Sequence, residues 1–276
     1  MQSRLGSTTL DSREADLRRI SSSLSLVAQL VSRTDKNALS VSHANNGDPV
    51  TSLDREINQI IRDTLPAQNE GWLSEESRDD WLRLQCRRVW VVDPIDGTRE
   101  LMEGIPEWSV SIGLVEEQRV VAGGVLNPTT GEMFLGSAET GLKVSQSACT
   151  VAGSKIKNNA CLLVSRREYG EGKWRSEEEH SVKVTPVGSI AYRLARVAAG
   201  YAGATCTFEP RNEWDVAAGV ALIHACGGTV QTVSGSPIPF NSRVPRLDTF
   251  CAFSRHCSPA VHRTLAAYRG SVQRAS

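Results

Sequence analysis

The chain has no excess of charge of either sign: 31 lysines and arginines balance 31 aspartates and glutamates over 276 residues. With no net field, nothing draws it as a whole to a nucleic-acid polymer or an anionic membrane. No apolar run approaches the roughly 20 residues that span a bilayer. The first ten residues lack the basic-then-apolar pattern of a signal peptide, and a polar, loose end is expected there. The seven cysteines (Cys86, Cys149, Cys161, Cys206, Cys226, Cys251, Cys257) are odd in number and contain no Cys-x-x-Cys. That argues against a disulfide framework or a zinc site. Cys161, Cys226 and Cys251 stand in apolar runs and read as small core residues; a reducing, cytoplasmic setting is expected. The five histidines show no metal-ligand spacing. There is no Asp-x-Asp-x-Asp-Gly calcium loop, no internal repeat and no low-complexity tract.

What remains is an ordinary globular composition, 40% apolar and 22% charged, enough to bury a core in one large domain or two closely packed halves. Leu17, Ile20, Leu24, Val27 and Leu30-Val31 fall at helical spacing within residues 14–33. Thr51, with Asp54 three residues on, reads as a capping box for a helix whose apolar face is Ile57, Ile60, Ile61 and Leu65 and which Pro66 ends. Val89–Val92 is a continuous apolar run, the mark of a strand buried on both faces. Trp108, Val110, Ile112 and Leu114 alternate with small or polar residues, predicting a half-buried strand. Val120–Leu126 and Glu132–Leu135 flank a turn and predict a hairpin. Polar residues near Ser145–Asn159 lead to a second half that alternates strand and helix: strands at Cys161–Ser165, Ala204–Phe208, Thr229–Val233 and Thr249–Phe253, helices around Ile190–Val197, Val216–Ala225 and Pro259–Tyr268. Hairpins first and βα units later imply an α/β layered sandwich. The expected division is an N-terminal α+β half, residues 1–145, and a C-terminal α/β half, residues 146–276.

The chemistry concentrates in Asp93-Pro94-Ile95-Asp96-Gly97-Thr98, directly after the Val89–Val92 run. Two like charges about 4 Å apart cost roughly 4 kcal/mol at an effective dielectric near 20. A hard divalent cation is the natural partner for such a pair. Pro94 makes a stiff corner and biases Asp93 toward extended backbone, while Gly97 permits a positive φ. By itself the block reads equally well as an acidic turn capping a helix. Three other segments tip the balance: Thr51-Ser52-Leu53-Asp54, Glu75-Glu76, and Glu213-Trp214-Asp215-Val216-Ala217-Ala218-Gly219.

Together, in this order, these segments resemble the inositol monophosphatase superfamily of magnesium-dependent, lithium-sensitive phosphatases. The resemblance runs from about Val50 to about Gly228. It implies an αβαβα sandwich of the inositol monophosphatase and sugar phosphatase type, with the site between the halves. It implies that Glu75, Asp93, Asp96, the carbonyl of Ile95, and Asp215 from the second half hold Mg²⁺, two or three ions per site. Glu75 and Thr98 resemble the pair that orients and deprotonates the attacking water, with Asp54 on the Thr98 hydroxyl. Asp96, Gly97, Thr98, Glu100, Ser189 and Arg211 are the expected substrate contacts. Asp215 alone would read as a plain helix cap. Glu76 is assigned a solvent or supporting place. Inhibition by Li⁺ and Ca²⁺ is implied on the same grounds.

Haloacid-dehalogenase-like phosphatases also carry an Asp…Asp-Gly-Thr block, but their aspartates are two apart. The spacing of three here favours direct attack by water over an aspartyl-phosphate. After Asp-Gly-Thr comes Arg99-Glu100-Leu101, where inositol phosphatases usually show x-Asn-Phe. The acidic residue, with Asn212-Glu213-Trp214-Asp215 and Ser165-Arg166, resembles the bacterial 3′(2′),5′-bisphosphate nucleotidase branch. Leu101 and His43 depart from the family pattern. The expected partner is a small phosphorylated metabolite, adenosine 3′,5′-bisphosphate first and inositol 1-phosphate or a related sugar phosphate second. A phosphate-binding homologue without turnover is the alternative of a different class. Arg99, Arg166, Lys173, Lys183 and Arg211 are candidates for a second phosphate. Monomer and homodimer both stay open.

Overall fold

The computed structural model describes residues 2–35, 38–43, 49–146, 159–174, 182–232 and 238–266. In chain order the first elements are α1 (Gln2–Arg33), β1 (Val41–His43), β2 (Pro49–Thr51), α2 (Ser52–Thr64), β3 (Glu70–Ser74), β4 (Arg88–Asp96) and α3 (Thr98–Met102). There follow β5 (Ser109–Glu116), β6 (Arg119–Asn127), β7 (Glu132–Ser137), β8 (Gly141–Gln146), β9 (Cys161–Ser165), α4 (Arg166–Gly170) and β10 (Lys183–Val187). The last are α5 (Ile190–Ala198), β11 (Ala204–Thr207), β12 (Arg211–Asn212), α6 (Glu213–Ala225), β13 (Thr229–Thr232), β14 (Arg246–Leu247) and β15 (Phe250–Phe253). Residues 259–266 are helical.

Strands β3-β4-β5-β6-β7-β8 form one sheet, antiparallel except for the β3–β4 pair. A second sheet runs β10-β9-β11-β15-β13, with β10, β9 and β11 mutually parallel and the rest antiparallel. Three separate cores show how the layers stack. α1 and α2 bury Ile20, Leu24, Leu53 and Ile57 against Trp90, Ile112 and Leu114 on the outer face of the first sheet. Leu194, Val197, Val216 and Val220 of α5 and α6 lie with Val89 and Val91 of the first sheet and Leu163 and Phe250 of the second. Trp174, Val261 and Leu265 cover Leu162, Val164 and Phe253 on the far side. The order is helix, sheet, helix, sheet, helix, the layered α/β fold the sequence predicts. Val216–Ile223 of α6 are all buried, as a helix enclosed by two sheets must be.

The structure corrects three expectations. α1 begins at Gln2, so residues 2–10 are helical where a loose end was expected; extending an anchored helix adds one bond per residue without a new nucleus. β5 is buried on both faces rather than half-buried. Its small residues lie under α6: a methyl group added to Gly113 would stand 2.7 Å from Ala217 Cβ, and one on Gly123 of β6 would stand 2.5 Å from Ala218 O. Cys226 is only half-buried, whereas Cys161, Cys206 and Cys251 are buried. Most of the Ser145–Asn159 connection, Val233 and the end of the closing helix at Tyr268 lie outside the described residues. No described helix is long and apolar enough to cross a membrane.

One ion cluster ties the first helix to the sheet. Glu70 at the start of β3 accepts from Arg19 Nη2 (2.7 Å), Arg88 Nε (3.0 Å), Trp90 Nε1 (2.8 Å) and Ala67 N (2.9 Å). Burial pushes its carboxyl up, but the bonds from Arg19, Trp90 and Ala67 and the Arg19 charge win and hold it at about 2, below the usual 4.5. A depressed acid stabilises the fold above its unfolded value and loses that contribution as pH falls toward the folded one. Glu70→Gln is therefore expected to cost about 2 kcal/mol at pH 7 and progressively less from pH 4.5 down to 2. Urea unfolding of parent and variant across that window checks it; a pH-independent gap would assign the loss to packing.

Candidate active site

In a regular strand, residues three apart point to opposite faces. β4 breaks that rule at the right place. Asp93 pairs with Ser111 of β5 and Asp96 with Ser109, so three steps on β4 match two on β5. The extra residue is a bulge, and it restores Asp93 and Asp96 to the same side. Pro94, which has no N–H to give the ladder, sits inside the bulge. Gly97 then turns with φ +97 and starts α3.

Asp93, Ile95, Asp96, Gly97, Thr98 and Glu100 line one cleft with Glu75, Arg211 and Asp215, enclosing ≈ 580 Å³. Glu75 follows β3 and its N–H donates to Val92 O (3.3 Å), which docks it beside Asp93. Asp215 is the third residue of the α6 capping box; its Oδ2 accepts from Asn212 N (3.0 Å). So the cap is Asn212, and Asp215 supports it while facing the cleft. Asp54 likewise completes the α2 capping box, accepting from Thr51 N (2.8 Å) and Thr51 Oγ1 (2.5 Å). Its other oxygen lies 3.2 Å from Thr98 Oγ1, which also reaches Ile95 O (3.1 Å).

These acids are crowded. Burial, then the charges of Asp215, Glu76, Asp96 and Asp54, push Glu75 up to about 9. Burial and the charges of Glu75, Asp96 and Asp215 push Asp93 upward as well. Asp96 is raised by burial despite opposing bonds from Ser189 and Ala191 and the charges of Arg211 and Arg193. Glu100 is raised, chiefly by burial. Among the described residues, no three acidic, histidine or cysteine groups already converge as a closed metal cage. Asp96 explains part of this: its Oδ2 is held by Ser189 Oγ and Ala191 N, both at 2.6 Å. The donor set nonetheless fits a hard cation. Every group is oxygen, the acids repel one another, and Asp93, 1% exposed, keeps Oδ1 buried with no hydrogen-bond partner. An unpartnered buried carboxylate oxygen calls for a positive partner.

Ser189, expected against the substrate, is buried and belongs to the support instead. It caps α5, accepting from Tyr192 N (2.9 Å), and its hydroxyl is spent on Asp96 and Ser109 Oγ. Of the five basic candidates, Arg99 and Arg211 line the cleft. Arg166 pairs with Glu107, Lys173 with Glu171 and Glu209, and Lys183 is exposed. The sequence reading missed Arg167, Arg193, Arg246 and Glu209, which all face the cleft. Arg193 had a signal: a lone cation between Ile190, Leu194 and Val197 on an otherwise apolar helix face. The other three sit on a short helix, a loop and a two-residue strand, where no periodicity exists.

Comparison with known proteins gives the same answer from another direction. The model of the inositol monophosphatase family matches residues 14–273. The 3′(2′),5′-bisphosphate nucleotidase CysQ of Escherichia coli (strain K12) is 31% identical over 210 residues, 74% of this chain and 83% of the relative. Inositol-1-monophosphatase of Rhizobium meliloti is 30% identical over 215 residues, 74% and 79% of the two chains. Among solved structures, the inositol monophosphatase of Thermotoga maritima superposes with TM-score 0.71 at 23% identity, covering 96% of this chain and 98% of that one. An IMPase/NADP phosphatase complexed with Mg²⁺ and phosphate gives 0.70 at 18% identity, covering 94% and 95%.

Proposed function

This chain belongs to the inositol monophosphatase family of phosphomonoester hydrolases, and from that membership we propose that it removes the 3′-phosphate of adenosine 3′,5′-bisphosphate in a Mg²⁺-dependent reaction. The observation that carries the reading is one cleft with two chemistries: the acids Glu75, Asp93, Asp96 and Asp215, of which Asp93 is buried, along with arginines Arg99, Arg193, Arg211 and Arg246 and the Arg167–Glu209 ion pair. The acids suit a cation-bridged phosphate, and the arginines suit a second anion on the same substrate. Inositol 1-phosphate carries one phosphate and gives such an array of arginines nothing to hold. Nucleotidase and inositol phosphatase relatives match at nearly equal identity, so the reading is supported by the arginines rather than by the percentages.

Glu75, Asp93, Asp96, Asp215 and the Ile95 carbonyl would hold the magnesium. When bound, Mg²⁺ supplies charge neutralisation for the phosphate oxygens and acidifies water at neutral pH. The protein's own residues do the rest. Thr98 Oγ1, fixed by Asp54 and Ile95 O, orients water on the cleft side of the bulge. Glu75, docked beside Asp93, is assigned in its ionised form to take that water's proton. Ser189 and the Ala191 N–H fix Asp96, so its carboxylate keeps one orientation through turnover.

A substrate panel with phosphate release as readout tests this: adenosine 3′,5′-bisphosphate, inositol 1-phosphate, fructose 1,6-bisphosphate and histidinol phosphate. The highest kcat/KM is expected for the bisphosphate nucleotide. Arg211→Ala is expected to raise KM for that nucleotide about 10-fold or more, and far more than for inositol 1-phosphate. Equal effects on the two substrates would remove Arg211 from the second-anion site.

A further inference from the structure

The cleft holds one cation whose burial the fold alone does not explain. Arg193 on α5 is 1% exposed, yet it forms part of the cleft wall. Its Nη1 donates to two neutral groups, Thr205 Oγ1 and Cys206 O, both at 3.3 Å. Its Nε is buried without a partner. Among the described residues, no carboxylate forms an ion pair with it. Burial, reinforced by the charge of Arg211, lowers its pKa only to about 10, so it stays cationic at neutral pH. A buried guanidinium without an ionic partner is costly.

Its surroundings attract the charge only at a distance. Arg211 Nη2 stands 4.0 Å from Glu168 Oε1, and Arg211 Nε donates to Thr207 Oγ1 (3.3 Å). Glu168, fully buried on α4, is fixed by Phe208 N (3.2 Å) and Trp174 Nε1 (3.4 Å). Glu168 thus faces both arginines. Asp96 attracts both from across the cleft but spends its Oδ2 on Ser189 and Ala191. Neither acid touches Arg193, whose Nε is left without a partner at the cleft wall.

We propose that Arg193 is a substrate ligand which, with Arg211, receives a phosphate remote from the one hydrolysed and thereby sets the preference for doubly phosphorylated substrates. This rests on the reading of the cleft given above. Arginine suits the task because its planar fork can serve the wall through Nη1 and an anion through its remaining N–H groups.

The experiment compares two substrates that differ only in the second phosphate, adenosine 3′,5′-bisphosphate and adenosine 3′-monophosphate, in the parent, Arg193→Gln and Arg193→Lys. Arg193→Gln is expected to lower kcat/KM for the bisphosphate about 30-fold, through KM, with a loss for the monophosphate at least about tenfold smaller. Arg193→Lys, which keeps the charge and guards against misfolding, should fall between. Equal losses on both substrates would overturn the proposal and leave Arg193 a structural group. If the parent hydrolyses inositol 1-phosphate but neither nucleotide, the functional reading fails on its own account. The Arg193 assignment is then judged by inhibition of that reaction with adenosine 5′-monophosphate. A Ki raised by Arg193→Gln keeps the assignment, and an unmoved Ki ends it.

Discussion

Asp93→Asn should abolish nearly all turnover and at the same time make the metal-free protein harder to unfold. The first effect follows from the role of the side chain. Asp93 is the most enclosed acid of the cluster, and its Oδ1 has no protein partner. If that oxygen serves a cation, an amide in its place weakens the hold by several kcal/mol, equivalent to about a thousandfold in kcat. The second effect follows from its neighbours. Burial and the charges of Glu75, Asp96 and Asp215 all disfavour a carboxylate here. Removing one charge relieves that repulsion by on the order of 1 kcal/mol in chelator. Opposite signs for activity and stability separate this account from simple damage to the fold. Phosphate release with Mg²⁺ and thermal melts in chelator measure the two; parental turnover by the variant would end the metal assignment.

The pH dependence of metal-free stability should run against the usual trend near neutrality. Glu75 stands at about 9 in the folded protein against an ordinary value of 4.5. Between those values the folded state holds a proton that the unfolded chain has released. Stability must therefore fall as pH rises from about 4.5 toward 9, because unfolding lets the acid ionise. The Glu75 side chain is solvent-exposed, so screening cuts the loss to on the order of 1 kcal/mol. Mg²⁺ binding favours the ionised cluster, so the rise in Tm on adding Mg²⁺ should be small at pH 5 and large at pH 8.5. A Mg²⁺ effect independent of pH would show that the cation binds elsewhere or that the acids are already ionised.

Much of this was legible in the chain. Thr51 and Asp54 gave the α2 capping box, Val89–Val92 gave the double-sided burial of β4, and Cys161–Ser165 marked β9 to the residue. The gathering of Glu75, Asp93, Asp96 and Asp215 into one cleft was readable only through family likeness, since nothing local announces contacts across more than a hundred residues. β3, β8, β10 and α4 escaped notice because short elements leave too few residues for a period to emerge. The half-buried reading of β5 failed because Ser111 and Gly113 are polar or small for a reason the sequence hides: a helix lies on them. The bond from Ser189 to Asp96 spans 93 residues and could not be read from the sequence.

The seat of α6 has a consequence of its own. Asp215 reaches the cleft from a helix that rests on bare backbone at Gly113 and Gly123. At those two positions a side chain on the strand would collide with α6, so helix and sheet meet at close range there. The distance from Asp215 to the β4 bulge is thus set by the seating of one helix on two glycines, and a side chain added at either would shift an acid of the cleft without touching it.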